Sequence, residues 1–188
     1  MAKRKLMSPK KVAIYGIFTA LVAALTFIGF PITATRGYFN FGEVAIFFIA
    51  FMIGWKEAAV CGAIGAALID MQIVAFFVPA TLVAKSIEGW LSGSIIIAFK
   101  DKMKQTKARI IAFAAGGSLM VATYFLYEWL VLPLNLFNDP GISFYSGLGP
   151  ALAELPFNIL QAACCGAIAV MLTKGIERAY PRISSLRD

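Results

Sequence analysis

The sequence predicts an all-α membrane protein, a bundle of six transmembrane helices whose N- and C-termini are both cytoplasmic. Of the 188 residues, 60% are hydrophobic and only 14% are charged, whereas about 25% of a typical soluble domain is charged. The apolar runs are continuous and of helix length, whereas barrel strands alternate apolar and polar side chains. The basic residues lie between these runs in a pattern that fits an even number of spans.

Six apolar segments approach the roughly 20 residues that a spanning helix needs. The second is short unless it begins near Gly37, and the fourth is the most polar because it contains Lys85 and Glu88. The first follows a basic stretch but has no clear cleavage site, so we expect a membrane helix there and not a signal peptide. The predicted spans are Val12–Phe30, Phe41–Trp55, Ala58–Phe77, Ala80–Phe99, Ile110–Leu132 and Ala151–Thr173.

Orientation follows from the 17 Lys and Arg residues, all of which except Arg36 and Lys85 fall in four stretches. These are the N-terminal tail 1–11, a turn at Lys56, the loop 100–109 and the C-terminal tail 174–188. Six spans, in a membrane domain 12–173, place all four stretches in the cytoplasm. The net charge of +7 is therefore explained by topology, and we expect no nucleic-acid partner.

The predicted outer connections are residues 31–40, a tight link around Val78–Pro79, and residues 133–150. The last is long, rich in Gly, Pro and Asn, and contains no Lys or Arg. Long loops with their own turn residues often carry function. The composition of residues 133–150 fits either a lid over a site or a solvated connector.

Polar side chains inside the spans all fall in the outer half of the membrane or near its midplane. A charge at the centre of a spanning helix costs about 2.5–3.5 kcal/mol on insertion scales, so such residues usually mark a function. Their convergence predicts a binding cavity that opens outward, although a polar network that only locks helices together is the alternative. The residues are Glu43, Asp70, Gln72, Lys85, Glu88, Glu128, Glu154, Asn158 and Gln161.

Aromatic residues accompany this polar level. They suit either the stacking of a planar ligand or the ordinary aromatic belt of a membrane interface, which is the commoner role of any single aromatic. They are Trp90, Tyr124, Tyr127, Trp129, Phe144 and Tyr145.

Small residues at a spacing of four, Gly16, Ala20 and Ala24, form a stripe on the first helix. Such stripes let another helix approach closely. That helix belongs either to this bundle or to a partner protein, and spacing alone does not separate the two.

The sequence lacks the motifs of several protein classes. It has no histidine, no phosphate-binding GxxxxGK[ST] loop and no HExxH, GxSxG or GxGxxG motif, so we expect neither an enzyme nor an ATPase. Its three cysteines lie in apolar runs without CxxC spacing, which favours buried small hydrophobes over a metal site. Carboxylates at unequal positions do not form the ring of an ion channel.

An ordered set of segments resembles the substrate-binding S component of energy-coupling factor (ECF) vitamin transporters. The similarity is greatest to the riboflavin-type group, which includes members assigned to pyridoxine or hydroxymethylpyrimidine. It covers roughly residues 12–173. The segments are GYFNFGE at 37–43, IGWKEA at 53–58, GAIGAALID at 62–70, VPATLVAK at 78–85, Glu88-Gly89, Gly93 and ELPFNILQ at 154–161.

The resemblance implies a binding subunit in the bacterial cell membrane that captures a vitamin from outside. It would work with a membrane T component, docking through Gly16, Ala20 and Ala24, and with two ATPase subunits that use the ATP. We expect Tyr38 to Asn40 to close the site and Glu88 to be the structural partner of Lys85. The expected substrate-binding residues are Tyr38, Asn40, Glu43, Asp70, Lys85, Glu88, Glu154, Asn158 and Gln161.

Two other functions remain open from the residues alone. The same acids could relay protons in a stand-alone secondary transporter of a small metabolite. An intramembrane enzyme that uses a carboxylate pair is a weaker alternative. Which vitamin would be bound is also left open.

Overall fold

A computed structural model describes residues 8–32 and 35–180, and within them the chain forms six α-helices, five of them long, and one small hairpin. The predicted basic tails lie partly outside the described residues, and the parts inside extend the first and last helices. The helices are α1 Pro9–Phe27, α2 Gly42–Met52, α3 Trp55–Ile73, α4 Val78–Ala98, α5 Gln105–Leu126 and α6 Leu148–Ala179.

The outer connection after α1 is a two-stranded antiparallel hairpin, which the sequence analysis did not predict. Strand β1, Gly29–Pro31, pairs with strand β2, Tyr38–Asn40, with Phe30 opposite Phe39. Because β1 begins at Gly29, α1 ends at Phe27, three residues before the predicted Phe30. The hairpin brings β2 onto the end of the bundle, called here the outer end.

Helix α2 is shorter than the predicted Phe41–Trp55. Its 11 residues reach about 16 Å, well under the roughly 30 Å hydrocarbon core of a bilayer. Its side chains are almost all buried, so the other helices surround it. The turn to α3 occurs at Gly54, whose φ of 156° suits glycine alone.

Two predicted boundaries of α3 and α4 are wrong. Lys56 lies in the first turn of α3 and not in a connecting turn, because α3 begins at Trp55. Val78 and Pro79 form the start of α4, where a proline is tolerated because the first helical N–H groups lack intrahelical partners. The link between the helices is instead the 3-10 turn Ala75–Phe77.

The C-terminal end of α5 is irregular. After Leu126 the helix continues through a π-helical turn, Tyr127–Val131, and a 3-10 turn, Leu132–Leu134. Single π turns within helices occur frequently at functional sites. A further 3-10 turn, Ile142–Phe144, precedes α6, and the backbone N–H of Gly147 donates a 2.8 Å hydrogen bond to the carbonyl of Glu128.

Glycines permit close helix contacts in the core. A Cβ at Gly89 would lie 2.6 Å from the backbone of Ala58, and one at Gly93 would lie 2.5 Å from that of Trp55. Helices α3 and α4 therefore pack with their backbones nearly touching, as small residues in membrane helices allow. Small residues allow the same kind of contact between α5 and α6, where Gly117 lies against Ala162.

Within residues 8–32 and 35–180, three helical segments are long and apolar enough to cross a membrane by themselves: α1, the continuous helical segment 105–134, and α6. Helices α3 and α4 have comparable lengths of 19 and 21 residues but carry charged side chains. Large apolar residues such as Ile17, Leu119 and Met171 are exposed on the outside of the bundle, where lipid would cover them.

Candidate ligand-binding site

Lys85 lies at the centre of a buried charged cluster near the outer end. Its ammonium donates a hydrogen bond to Glu43 of α2 and lies 3.6 Å from a carboxylate oxygen of Glu88. The ring centroid of Tyr124 is 5.5 Å from Lys85 Nζ. The predicted pairing with Glu88 is present, but Glu43 is the hydrogen-bonded partner because it faces Lys85 across the interface of α2 and α4.

Gln161 connects α6 to both α2 and the hairpin. Its side-chain amide donates a 2.7 Å hydrogen bond to Glu43, and its carbonyl oxygen accepts a 2.7 Å bond from the backbone N–H of Asn40. The side chain of Asn40 in turn accepts from the N–H of Gly42 at the start of α2. The hairpin is therefore held onto the bundle by polar contacts with residues that the sequence analysis assigned to the site.

Asp70 makes a second set of contacts with the hairpin. Its carboxylate accepts hydrogen bonds from the hydroxyl groups of Tyr38 in β2 and Thr81 in α4. Burial and the neighbouring carboxylate of Asp70 raise the pKa of the Tyr38 hydroxyl, which keeps it protonated as a donor. Thr81 also accepts a 3.0 Å bond from Tyr124.

The sequence analysis missed Thr81 and the lining role of Tyr124. Thr81 is one helical turn before Lys85 and shares its helix face, a spacing that could have identified it. Tyr124 was grouped with the aromatic residues, where its contact with Lys85 could not be distinguished from a role in the interfacial belt.

Glu154 and Glu128 form an acidic corner, which we define by these two residues. Glu154 lies against Gly37 so closely that a Cβ there would overlap its carboxylate, and it is hydrogen-bonded by Thr35. The side chain of Glu128 is fully buried, and neither of its oxygens has a hydrogen-bond partner among the described residues. Sequence analysis placed Glu128 at this depth but not among the substrate-binding residues.

These groups surround a small cavity of about 30 Å³ beneath the hairpin. That volume has room for only about two or three water molecules, so the cavity as it stands is too small for a ligand of vitamin size. Of the nine predicted substrate-binding residues, Glu43, Asp70, Lys85 and Glu88 lie behind the lining and support it. The lining residues are Gly37, Tyr38, Asn40, Phe77, Tyr124, Glu154, Asn158 and Gln161.

A larger cavity lies elsewhere. It is an apolar groove of about 470 Å³ between α5 and α6, bordered by residues such as Phe113, Phe125 and Ile159. None of the buried carboxylates lines it. A ligand pocket needs a few convergent polar groups for orientation, so the small polar cavity beneath the hairpin is the better candidate site.

Comparisons with known proteins decide the family. The family described as the S component of ECF-type riboflavin transporters matches residues 6–178. The chain belongs to this family. It is an S component, a multi-span membrane protein that binds a vitamin or vitamin precursor for an ECF importer, and it is not an enzyme. Family membership confirms the predicted fold class and function. It rules out the two alternative hypotheses, a stand-alone transporter and an intramembrane enzyme.

Two curated relatives are similar to this S component along most of their length. An uncharacterized protein in a gap 3′ region of Pyrococcus woesei is 28% identical over 144 residues, which are 76% of this chain and 84% of that protein. The thiamine precursor transporter HmpT of Lactococcus lactis is 27% identical over 175 residues, or 90% and 89% of the two chains.

A solved structure supports the fold. It is a structure of the S component of a bacterial ECF transporter, and it superposes on this chain with a TM-score of 0.65 at 20% identity. The match covers 90% of this chain and 96% of that one. The six-helix architecture is therefore that of a known S component.

Several residues of the predicted polar and aromatic level do not converge on the site. Gln72 is exposed and donates to the carbonyl of Leu68 in its own helix. Trp90, Trp129 and Phe144 are exposed on the outside of the bundle, which fits an interfacial belt. Phe39 packs edge-to-face on Phe41 and does not line the cavity.

The small-residue stripe of the S component faces outward. Gly16, Ala20 and Ala24 are all exposed on α1, and a Cβ at Gly16 would meet nothing within 4 Å. Helix α1 instead packs on α3 through Thr19 and Val22, which lie against Gly65. The stripe is therefore not used for packing within the described part of the bundle.

Proposed function

We propose that this S component binds its vitamin or vitamin precursor beneath the hairpin. Polar side chains of β2, α5 and α6 converge on one cavity at the predicted outer end, with charged side chains of α2, α3 and α4 behind them, and this convergence carries the proposal. Tyr38, Asn40, Glu154, Asn158 and Gln161 line it and would contact the ligand. The similarity to HmpT, a thiamine precursor transporter, supports a small water-soluble substrate.

The hairpin acts as a lid in this proposal. The cavity is too small for a vitamin, so binding requires β2 to move outward and then close over the ligand. The bonds from Tyr38 to Asp70 and from Asn40 to Gln161 are those that must break and form again. Asn158, whose amide both donates and accepts, is available to orient the ligand.

The residues behind the lining have a positioning role. The positive charge of Lys85 is already shared by Glu43 and Glu88, so we assign it to holding Glu43 in place. Glu43 in turn orients Gln161. Asp70 similarly fixes Tyr38 and Thr81.

The exposed stripe on α1 is the proposed docking surface for the T component. Family membership implies a T component and ATPases as partners. Two ATPase subunits would supply the energy of ATP hydrolysis, for which this chain has no phosphate-binding loop motif. Gly16, Ala20 and Ala24 let a partner helix approach α1 closely. The basic loops on the opposite side from the site fit a cytoplasmic face.

Ligand identification tests the proposal. The full chain is purified in detergent, the co-purifying small molecules are identified by mass spectrometry, and the affinity of the identified compound is measured by calorimetry. We expect Asn158→Ala to weaken binding by about 10-fold or more, since a lost buried hydrogen bond leaves its partner unsatisfied. The matched control is Gln72→Ala, which changes an exposed amide on α3.

Two outcomes would contradict the proposal. One is unchanged affinity in folded Asn158→Ala. The other is accumulation of the compound in vesicles that contain this chain alone, because a binding subunit needs its energising partners.

A further inference from the structure

We propose that the apolar groove between α5 and α6 binds an acyl chain of an anionic phospholipid from the cytoplasmic leaflet. The phosphate group of that lipid would lie at the basic ends of the same two helices, beside Lys107 and Lys174. This is a second binding site, separate from the cavity beneath the hairpin. It does not depend on the proposed function, because the shape and charge of α5 and α6 carry it.

The groove is a cleft with a narrow floor. At the floor Gly117 of α5 and Ala162 of α6 nearly touch, since a Cβ on Gly117 would lie 2.8 Å from the Cβ of Ala162. Phe113 lies at the inner end, where its ring packs so closely on Gly166 that an added Cβ would be 2.4 Å away. Phe125 is the lining residue farthest from this end along α5. Two aromatic rings therefore border a cleft whose floor consists of small residues.

The dimensions of the groove suit an acyl chain. From Phe113 to Phe125 it follows α5 for about 18 Å, at about 1.5 Å per residue. One leaflet contributes about half of the roughly 30 Å hydrocarbon core, so an acyl chain aligned with the helices spans a similar length. Among the described residues that line the groove, only Ser118 has a polar side chain, which suits hydrocarbon and not a water-soluble ligand.

The groove opens to the outside of the bundle, where the bilayer lies. Ala114, Ser118 and Ala122 of α5 and Ala163 of α6 line it and are exposed. An empty cleft would lose dispersion contacts along its walls, and in a membrane hydrocarbon is the material that surrounds it. A lipid chain therefore reaches the groove directly from the bilayer.

Basic residues lie at one end of this face. Lys107 precedes Ala114 by seven residues and Lys174 follows Ala163 by eleven, which are close to two and three helical turns. Both lysines are therefore on the groove side of their helices, and Lys107 is exposed while Lys174 is partly exposed. Lysines at a membrane surface attract anionic headgroups.

The opposite ends of α5 and α6 offer no such charge. From residue 110 to residue 173 the sequence contains no Lys or Arg, so an anionic lipid of the outer leaflet would meet no compensating side chain on these helices. A second copy packed here in the same orientation would bring its own basic residues to the level of Lys107 and Lys174, and like charges would oppose that contact. Charge complementarity thus selects an anionic lipid of the cytoplasmic leaflet.

Native mass spectrometry of the full chain, in detergent that carries defined lipids, tests the inference. The probes are phosphatidylglycerol, which is anionic, and phosphatidylcholine, which is zwitterionic, with the same acyl chains. We expect the first phosphatidylglycerol to bind about 10- to 30-fold more tightly than the first phosphatidylcholine, the effect of two lysines on one anionic headgroup. Glycerol phosphate, which has the charge without the chains, should not compete at the same concentrations.

Two double variants separate the acyl chain from the headgroup. Ala114→Leu with Ala163→Leu fills the groove and should weaken the first binding of both lipids by about 10-fold, as for the loss of a few buried methylene groups. Lys107→Gln with Lys174→Gln should bring phosphatidylglycerol to within a few-fold of phosphatidylcholine, whose binding should not change.

Each double variant has a matched control. Ala167→Leu adds bulk at an exposed position of α6 that does not line the groove. Lys56→Gln removes an exposed lysine from the first turn of α3, at the same end of the bundle. Both controls should bind the two lipids as the wild type does. Thermal unfolding without lipid verifies folding, and Ala163→Leu alone replaces the double variant if the latter does not fold.

Four outcomes would overturn the inference. They are equal binding of the two lipids to the wild type, undiminished phosphatidylglycerol binding in the folded groove-filling variant, displacement of the lipid by glycerol phosphate, and a wild-type dimer that the groove-filling variant converts into a monomer. The last would show that a second copy of the chain occupies the groove. Weaker lipid binding in the groove-filling variant, together with loss of the headgroup preference in the lysine variant, supports the inference.

Discussion

The ammonium of Lys85 donates a hydrogen bond to the carboxylate of Glu43 across the interface of α4 and α2, and both side chains are almost completely buried. The same Glu43 oxygen accepts from Gln161 of α6. One ion pair therefore joins three helices directly behind the cavity, and its loss should affect both the stability of the bundle and the shape of the site.

We expect Lys85→Met to destabilise the protein by about 3–5 kcal/mol, the usual effect of removing one partner of a buried ion pair. The reason is that Glu43 and Glu88 would remain buried without a cation. Unfolding in detergent measures the loss. The control Lys107→Met changes an exposed lysine at the start of α5 and should have little effect.

The triple variant Lys85→Met, Glu43→Gln, Glu88→Gln should recover part of that stability, because it removes the buried charges together. If Lys85→Met were as stable as the wild type and only lost affinity, Lys85 would be a ligand contact and its positioning role would be wrong. Both measurements use the same purified protein.

Tyr38→Phe should loosen the lid. The substitution removes the hydroxyl that donates to Asp70 and keeps the ring, and a hydrogen bond to a carboxylate contributes about 1.5–3 kcal/mol. We expect faster hydrogen exchange in residues 38–40 and ligand dissociation about 10- to 100-fold faster. Tyr180→Phe, at the exposed end of α6, is the control, and equal exchange in both variants would contradict a lid held by this bond.

Sequence reasoning named most residues of the candidate site because polar residues are conspicuous inside apolar, membrane-spanning runs. Glu43, Asp70, Lys85 and Glu88 stood out as costly groups inside apolar runs, and the basic loops fixed their common depth. The structure brings them together, as topology and helix spacing predicted. Five lining residues, Tyr38, Asn40, Glu154, Asn158 and Gln161, were also named in advance.

The features that were not predicted depend on tertiary contacts, which the spacing of residues along the sequence does not determine. The hairpin was missed because strands of three residues carry too little periodicity to identify. The shortness of α2 was underestimated because Ile53 to Trp55 are apolar enough to continue a span. The sequence also could not reveal that Glu128 lacks a hydrogen-bond partner, because this depends on its neighbours in the fold, and none of the described ones donates to its carboxyl group.

Gly37→Ala should prevent closure of the lid. Its Cβ would overlap the carboxylate of Glu154, so either β2 or Glu154 must move. We expect ligand affinity to fall by at least about 10-fold, in line with the cost of overpacking a tight contact. Gly149→Ala is the matched control, since a Cβ there meets nothing within 4 Å, and similar affinities for both variants would show that Gly37 tolerates the added methyl group.

Ala20→Leu and Ala24→Leu should separate binding from transport. Both residues are exposed on α1, so a larger side chain meets no described part of the bundle and ligand affinity should be unchanged. A partner helix that packs on small residues would be pushed away. Uptake by vesicles that contain the S component with its T component and ATPases should therefore fall by about 10-fold or more.

The matched control for this experiment is Ala167→Leu, which adds the same bulk to an exposed position on α6. It should leave both binding and uptake unchanged, because only α1 carries the proposed docking stripe. Retained uptake in Ala20→Leu and Ala24→Leu would place the docking surface elsewhere. Loss of binding in those variants would instead show that α1 and the hairpin directly after it are coupled, since β1 begins only two residues beyond Phe27.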